Sequence, residues 1–196
     1  VEIKFPYPNG SAKYRTLEKK GFYTKDAPDG ATFNKSGLFG RNRFAAGSNK
    51  AVVITEGELD ALSLWPVLRI PVVSVNSSSS ARTDCSLERP WLNSFDRIYL
   101  AFDGDGPGRD AAQSVAALFD FNKVYELKFP GGNRKDANDY LRNGERDELA
   151  TLFANAKKYL PSTIISSFNE FDKIIAEEPK SGVDYPWPTV NFMTYG

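Results

Sequence analysis

Four short apolar runs set the strongest limits on what this chain can fold into: AVVIT (51–55), PVVSV (71–75), RIYLAFD (97–103) and KVYEL (123–127). Each has the length of a strand, and each is apolar enough to be covered on both faces. The segments between them have helical spacing. ELDALSLWPVL (58–68) keeps that spacing until Pro66 disturbs it. Residues 87–94 predict a short helix. PGRDAAQSVAALF (107–119) predicts a longer one, with a proline near its first turn. Residues 136–142 and 145–158 complete the set, while NSSSSAR (76–82) and PGGNR (130–134) read as loops. Strands that alternate with helices predict an α/β fold, a parallel sheet with helices on both faces.

The flanks differ. Residues 1–46 read as β-rich: KYRTLE (13–18) alternates like a strand, and PNG (8–10) and PDG (28–30) are turn signals. Charge changes along with pattern. Residues 1–50 hold ten Lys/Arg against four Asp/Glu, whereas residues 51–108 hold four against eight, within a net charge of zero. The expected organisation is a small basic subdomain at 1–49, the α/β domain at 50–160, and a linker helix plus the start of another domain at 161–196. SSFNEFDKIIAEEP (166–179) carries Phe168, Phe171, Ile174 and Ile175 at helical spacing, after the break at Pro161. That stripe needs a partner, and a neighbouring subunit's motor domain or the chain's own domain would serve. The start at Val1 and the stop at Gly196 fit a piece of a longer protein. There is no signal-peptide pattern, and no apolar run nears the roughly 20 residues that span a bilayer.

The chain has one cysteine, Cys85, and no histidine. A disulfide framework and a Cys/His zinc site are therefore excluded within this chain. The usual general base is also missing, which leaves carboxylates, Lys, Tyr or a metal. In a parallel sheet, sites form beyond the C-terminal ends of the strands. The first strand runs into Glu56, with Asp60 four residues on. The third runs into Asp103-Gly104-Asp105, and the fourth leads through a loop to Asp136 and Asp139. Carboxylates gathered in a small volume raise one another's pKa unless a cation arrives. Oxygen ligands without His or Cys point to Mg²⁺ or Mn²⁺. The glycines of LAFDGDGPGRDAA (100–112) also suit an anion at the helix start, where Gly106, Gly108 and Arg109 lie. They are badly spaced for a dinucleotide fingerprint, and no G-x-x-x-x-G-K-[ST] occurs. A helix-start acid is the plain alternative for Asp60 and Asp139.

VVITEGELDAL (52–62), IYLAFDGDGPGRDAA (98–112) and KDANDYL (135–141) resemble the three signature segments of the Toprim domain. The likeness is nearest to phage-type bifunctional primase–helicases, their Twinkle relatives and DnaG-type primases. GLFGRNRF (37–44), STIISSFNEFDKII (162–175) and GVDYPWPTVNFMTYG (182–196) extend it to the flanks. The resemblance implies a Rossmann-like Toprim sheet and metal-dependent nucleotidyl transfer. It implies Glu56 as the acid/base or metal-proximal group, Asp103, Asp105 and Asp136 as metal ligands, and Asp60 and Asp139 as accessory acids. Arg41, Arg43, Lys50, Arg109 and Lys135 would contact template or nucleotide, with solvated surface charge as the alternative. The implied partners are single-stranded DNA, nucleoside triphosphates and a helicase domain of the same polypeptide, in a homo-hexamer or heptamer. The implied compartment is the bacterial or phage-infected cytoplasm, or the mitochondrion for a Twinkle-like chain. A Toprim module that binds DNA without priming is the other reading. One departure stands out: SVNSSSSAR (74–82) lies where relatives often carry a glycine-containing turn.

Overall fold

The computed structural model describes residues 1–18, 21–160, 171, 172, 175 and 176. Val1–Tyr159 forms one compact unit and Leu160–Gly196 a second. The first unit opens with a three-stranded antiparallel sheet: β1 (Glu2–Pro6), β2 (Ala12–Thr16) and β3 (Phe22–Lys25). Gly10, at φ 86°, supplies the left-handed residue that the PNG turn between β1 and β2 requires. Because side chains alternate along a strand, Lys13 and Arg15 share one face of β2 and Tyr14 takes the other. Tyr14 stacks on Tyr23 across the strand pair, with ring centroids 4.9 Å apart.

From Ala51 the chain becomes α/β. Its elements are β4 (Ala51–Thr55), α1 (Glu58–Leu68), β5 (Val72–Ser74), α2 (Ala81–Leu87), α3 (Arg89–Leu92), β6 (Arg97–Ala101), α4 (Gly106–Ala116), β7 (Val124–Glu126), α5 (Ala137–Arg142), α6 (Arg146–Ala154) and β8 (Lys157–Lys158). The sheet order is β5-β4-β6-β7-β8, and the first four strands are parallel. From β4 the chain first crosses to β5 on one side, then returns to β6 on the other. The order therefore reverses between β4 and β6, which makes their C-terminal ends the crevice where such sheets hold ligands.

Alternation along the strands builds two cores. Val52, Ile54, Ile98, Leu100 and Val124 meet α2, α3 and α4 on one face. Val53, Val72, Tyr99, Ala101 and Leu127 meet α1, α5 and α6 on the other. Both faces being covered explains why the strands read as continuous apolar runs.

The structure departs from the sequence expectation in three places. The polar loop is shorter than 76–82, because α2 begins at Ala81 and buries Ala81 and Cys85, one helical turn apart. The single helix expected at 87–94 is a four-residue α3 that follows α2 across Glu88. The helix expected at 145–158 ends at Ala154, and Lys157–Lys158 pairs antiparallel with β7. That edge carries lysines, which discourage further strand pairing. Pro66 is accommodated inside α1, which runs on to Leu68 and ends at Arg69 in the left-handed conformation, φ 56°. In the second unit Phe171, Asp172, Ile175 and Ala176 are helical and exposed. Phe168, Ile174 and the rest of 161–196 lie outside the described residues.

Two leucines of α1 test this layering. Leu64 is fully buried and Leu62 is 53% exposed. Leu64→Ala should cost about 2–5 kcal/mol in urea unfolding, and Leu62→Ala about 0.5 kcal/mol or less.

Candidate active site

Glu56 leaves the end of β4 and Asp103 follows β6, so the two meet at the reversal point. The Asp103 amide donates to Glu56 Oε2 at 3.4 Å. Two glycines allow the chain this close an approach. A Cβ on Gly104 would stand 2.8 Å from the Phe129 carbonyl, and one on Gly108 would overlap the Asp103 carbonyl. Asp105 caps α4 and accepts from the Gly108 amide at 2.9 Å. Asp136 caps α5 and accepts from the Asp139 amide at 2.8 Å. Asp60, in the first turn of α1, accepts from the Asn138 amide at 3.0 Å. Asp139 reaches back to the Lys135 amide at 3.3 Å.

The electrostatics show how closely these groups gather. Burial pushes Asp60 up to about 7, helped by the charges of Asp136, Asp103 and Glu56. Burial also pushes Asp103 up to about 7, together with Glu56, Asp136 and Asp105, while Lys135 works against the shift. Glu56 is raised chiefly by burial and also by Asp105. The Asp103 amide, the Ser78 hydroxyl and Lys135 oppose that shift. Five acids thus feel one another at one rim: Glu56, Asp60, Asp103, Asp105 and Asp136.

They do not, however, converge as a ready ligand set. Among the described residues no three Asp/Glu/Cys/His side chains stand where they could hold one metal ion. The reason is visible in the caps: Asp105 and Asp136 each give an oxygen to a helix amide, and like charges keep their distance. The donor set still fits a hard divalent cation. It is all oxygen, and its half-buried members resist full ionisation in the absence of positive charge.

The basic residues divide into two groups. Lys135 Nζ lies 4.0 Å from Asp103 Oδ2, and Arg109 donates to the Gly104 carbonyl at 2.9 Å, so both stand at the rim. Beside them lies a pocket of about 140 Å³ floored by Leu100, Phe102 and Leu127, with Arg109 and Lys128 in its wall. Arg41 is instead held at the corner between α2 and α3, 3.0 Å from Glu88 and stacked over Trp91. Arg43 is exposed in the same turn. Lys50 precedes β4 and accepts from the Asp96 and Arg97 amides. It therefore stands at the opposite end of the strand from Glu56, about 20 Å away at the rise of a strand. Lys50 thus does not join the acidic rim, because a residue before a strand and one after it cannot share an edge.

Sequence reasoning missed one residue that reaches this region. Lys13 donates to the Asn76 carbonyl at 2.9 Å. The alternation of KYRT placed Lys13 on one face of its strand, but nothing local said which face would meet the α/β unit.

Residues 53–141 match the Toprim-like family, so the rim described above is that of a Toprim domain. The chain is homologous, over most of its length, to phage primase–helicases and Twinkle homologues. The DNA helicase/primase of Enterobacteria phage T3 is 31% identical over 140 residues, covering 70% of this chain and 24% of that protein. The chloroplastic/mitochondrial Twinkle homolog protein of Arabidopsis thaliana is 27% identical over 186 residues, covering 85% and 25%. The primase fragment of the Bacteriophage T7 primase-helicase protein superposes with a TM-score of 0.68 at 28% identity, covering 78% of this chain and 62% of that one. The chain thus spans about a quarter of the length of these curated relatives.

The raised carboxyls make a pH prediction. A carboxyl whose folded pKa lies above its unfolded value of about 4 leaves the native state holding the extra proton between the two values. Stability is then lost as pH rises from about 4 through about 7, where Asp60 and Asp103 titrate. In metal-free buffer, Asp60→Asn should weaken this decline in melting temperature. Added Mg²⁺ should raise the native melting temperature more at pH 8 than at pH 5.

Proposed function

We propose that this chain is the primer-synthesising core of a replicative primase–helicase, a nucleotidyltransferase that joins ribonucleotides on single-stranded DNA. The observation that carries this reading is the meeting of Glu56 and Asp103 at the strand-order reversal, within electrostatic reach of Asp60, Asp105 and Asp136. In this reading Asp103, Asp105 and Asp136 hold Mg²⁺ or Mn²⁺, and Asp60 and Asp139 shape the field around them. The bound metal would acidify the attacking 3′-hydroxyl and stabilise the pyrophosphate leaving group.

The chain's own residues do the rest. Glu56, its carboxyl pushed up by burial, is suited to exchanging a proton at the reacting hydroxyl. Arg109 and Lys135 offer positive charge to a triphosphate approaching the rim. The serine loop adds hydroxyl donors next to Glu56. The basic small sheet carries single-stranded template, with an affinity that falls as salt rises. In the full-length protein a helicase domain follows and a ring of six or seven copies forms.

A second reading, a DNA-holding Toprim collar that does not prime, is favoured by one observation. Asp105 and Asp136 are engaged as helix caps. Ribonucleotide incorporation on single-stranded DNA with Mg²⁺ separates the two. Under the first reading, Asp103→Ala and Asp105→Ala each lower the rate about a hundredfold, the scale of a lost electrostatic stabiliser. Full activity in both variants would sink the catalytic assignment. DNA binding without incorporation by the native chain would support the collar.

A further inference from the structure

The TEGE stretch holds a second glutamate for which the acidic rim has no use. Glu58 lies two residues past Glu56, at the first position of α1, and is only 3% exposed. Its carboxylate meets the small sheet. Lys13 Nζ stands 3.1 Å from Oε1 and 3.2 Å from Oε2, and the Tyr7 hydroxyl donates to Oε1. The Lys13 side chain is 14% exposed, so both charges are largely out of water. Burial and the Glu58 charge push the Tyr7 phenol up, which keeps it a donor.

The same lysine continues the connection. It donates to the Asn76 carbonyl, at the start of the serine loop. Asn76 is clasped from the other side by the buried Asp84, through its backbone amide at 2.8 Å and its side-chain amide at 3.2 Å. Asp84 also accepts from Ser80 at 2.8 Å. A single carboxylate thus ties three segments distant in sequence: the small sheet, the start of α1 and the loop after β5.

Adhesion does not need this ion pair. Phe5 and Phe39 pack edge to face at 5.8 Å, and Tyr7 packs on Phe33 at 5.0 Å and on Phe39 at 5.7 Å. An apolar pair of similar volume would generally hold a buried position as well as ions do. What the ions add is direction, since only one placement of the small sheet satisfies Lys13, Tyr7 and Asn76 together.

We propose that Glu58 is a positioning residue which, through Lys13 and Asn76, fixes the small sheet and the serine loop in one register over the acidic rim. Its effect on template use rests on the primase reading above, whereas the register itself does not. Glu58→Leu alone would strand Lys13 as an unpaired buried cation, so the test uses the Lys13→Met/Glu58→Leu double variant. Spin labels at the exposed Thr24 and Asp110, introduced as Thr24→Cys and Asp110→Cys, report the distance between the small sheet and α4. Cys85 is buried and does not compete for label.

The native chain should give one narrow distance distribution. The double variant, in which the Tyr7 hydroxyl and the Asn76 carbonyl each lose a partner, should melt somewhat below the native temperature but stay folded and give a broad distribution, and Glu58→Gln, which still accepts from Tyr7, should stay nearer to native. In priming assays the double variant should raise KM for single-stranded template about tenfold, within the range of coupled neighbours, with kcat little changed. A double variant with the native distance distribution overturns the proposal whatever its kinetics. If the native chain makes no primers, the primase reading fails, and the distance measurement still decides the register.

Discussion

Five carboxylates cannot share the rim between β4 and β6 without either giving up charge or gaining counter-charge. That constraint organises the site. Asp60 and Asp103, the two pushed to about 7, are held closest to the protonated state. Asp105 and Asp136 relieve part of the strain by turning an oxygen to a helix amide, where the partial positive charge of a helix start lowers the cost of an anion. Lys135 supplies the nearest full positive charge, but at 4.0 Å and largely in water it compensates little. A site built this way gains most from a divalent cation.

The sheet makes the gathering possible by being rigid and doubly covered. Apolar side chains on both faces of β4 and β6 leave the two strands no freedom to slide, so the residues just past their ends hold fixed positions. Close approach then depends on missing side chains. Gly104 and Gly108 let the loop after β6 fold back on itself and on Phe129, and no other residue would leave that space. The acids are therefore positioned by backbone, and their side-chain oxygens make only the last adjustment.

The small antiparallel sheet contributes in another way. It has little core of its own, and Phe5 and Tyr7 bury themselves against Phe33 and Phe39. Tyr14, Tyr23 and Lys25 sit together on the face opposite Lys13. A thin sheet on an apolar seam could settle in several registers. Buried polar groups remove that freedom, because each must find its partner or lose the solvation it gave up.

Much of this was legible in the residues themselves. Apolar runs of strand length, helical spacing between them and acids at the strand ends are local patterns set by periods of about 2 and 3.6 residues, and they announced the α/β sheet and its acidic rim. Local pattern is silent on what meets across the fold. Lys50 and Glu56 flank one strand, which carries them to its opposite ends. Arg41, expected to contact template or nucleotide or to be surface charge, pairs with Glu88 and stacks over Trp91. The serines of 77–80 read as a polar loop, and Asp84 anchors that loop through Ser80 and the neighbouring Asn76. By itself the sequence determined which residue types stand at the strand ends, because periodicity and charge are properties of neighbours along the chain. Only the tertiary structure decided which acids became helix caps, which cations reached the rim and that Glu58 would find Lys13, because those pairings depend on crossings between segments far apart in sequence.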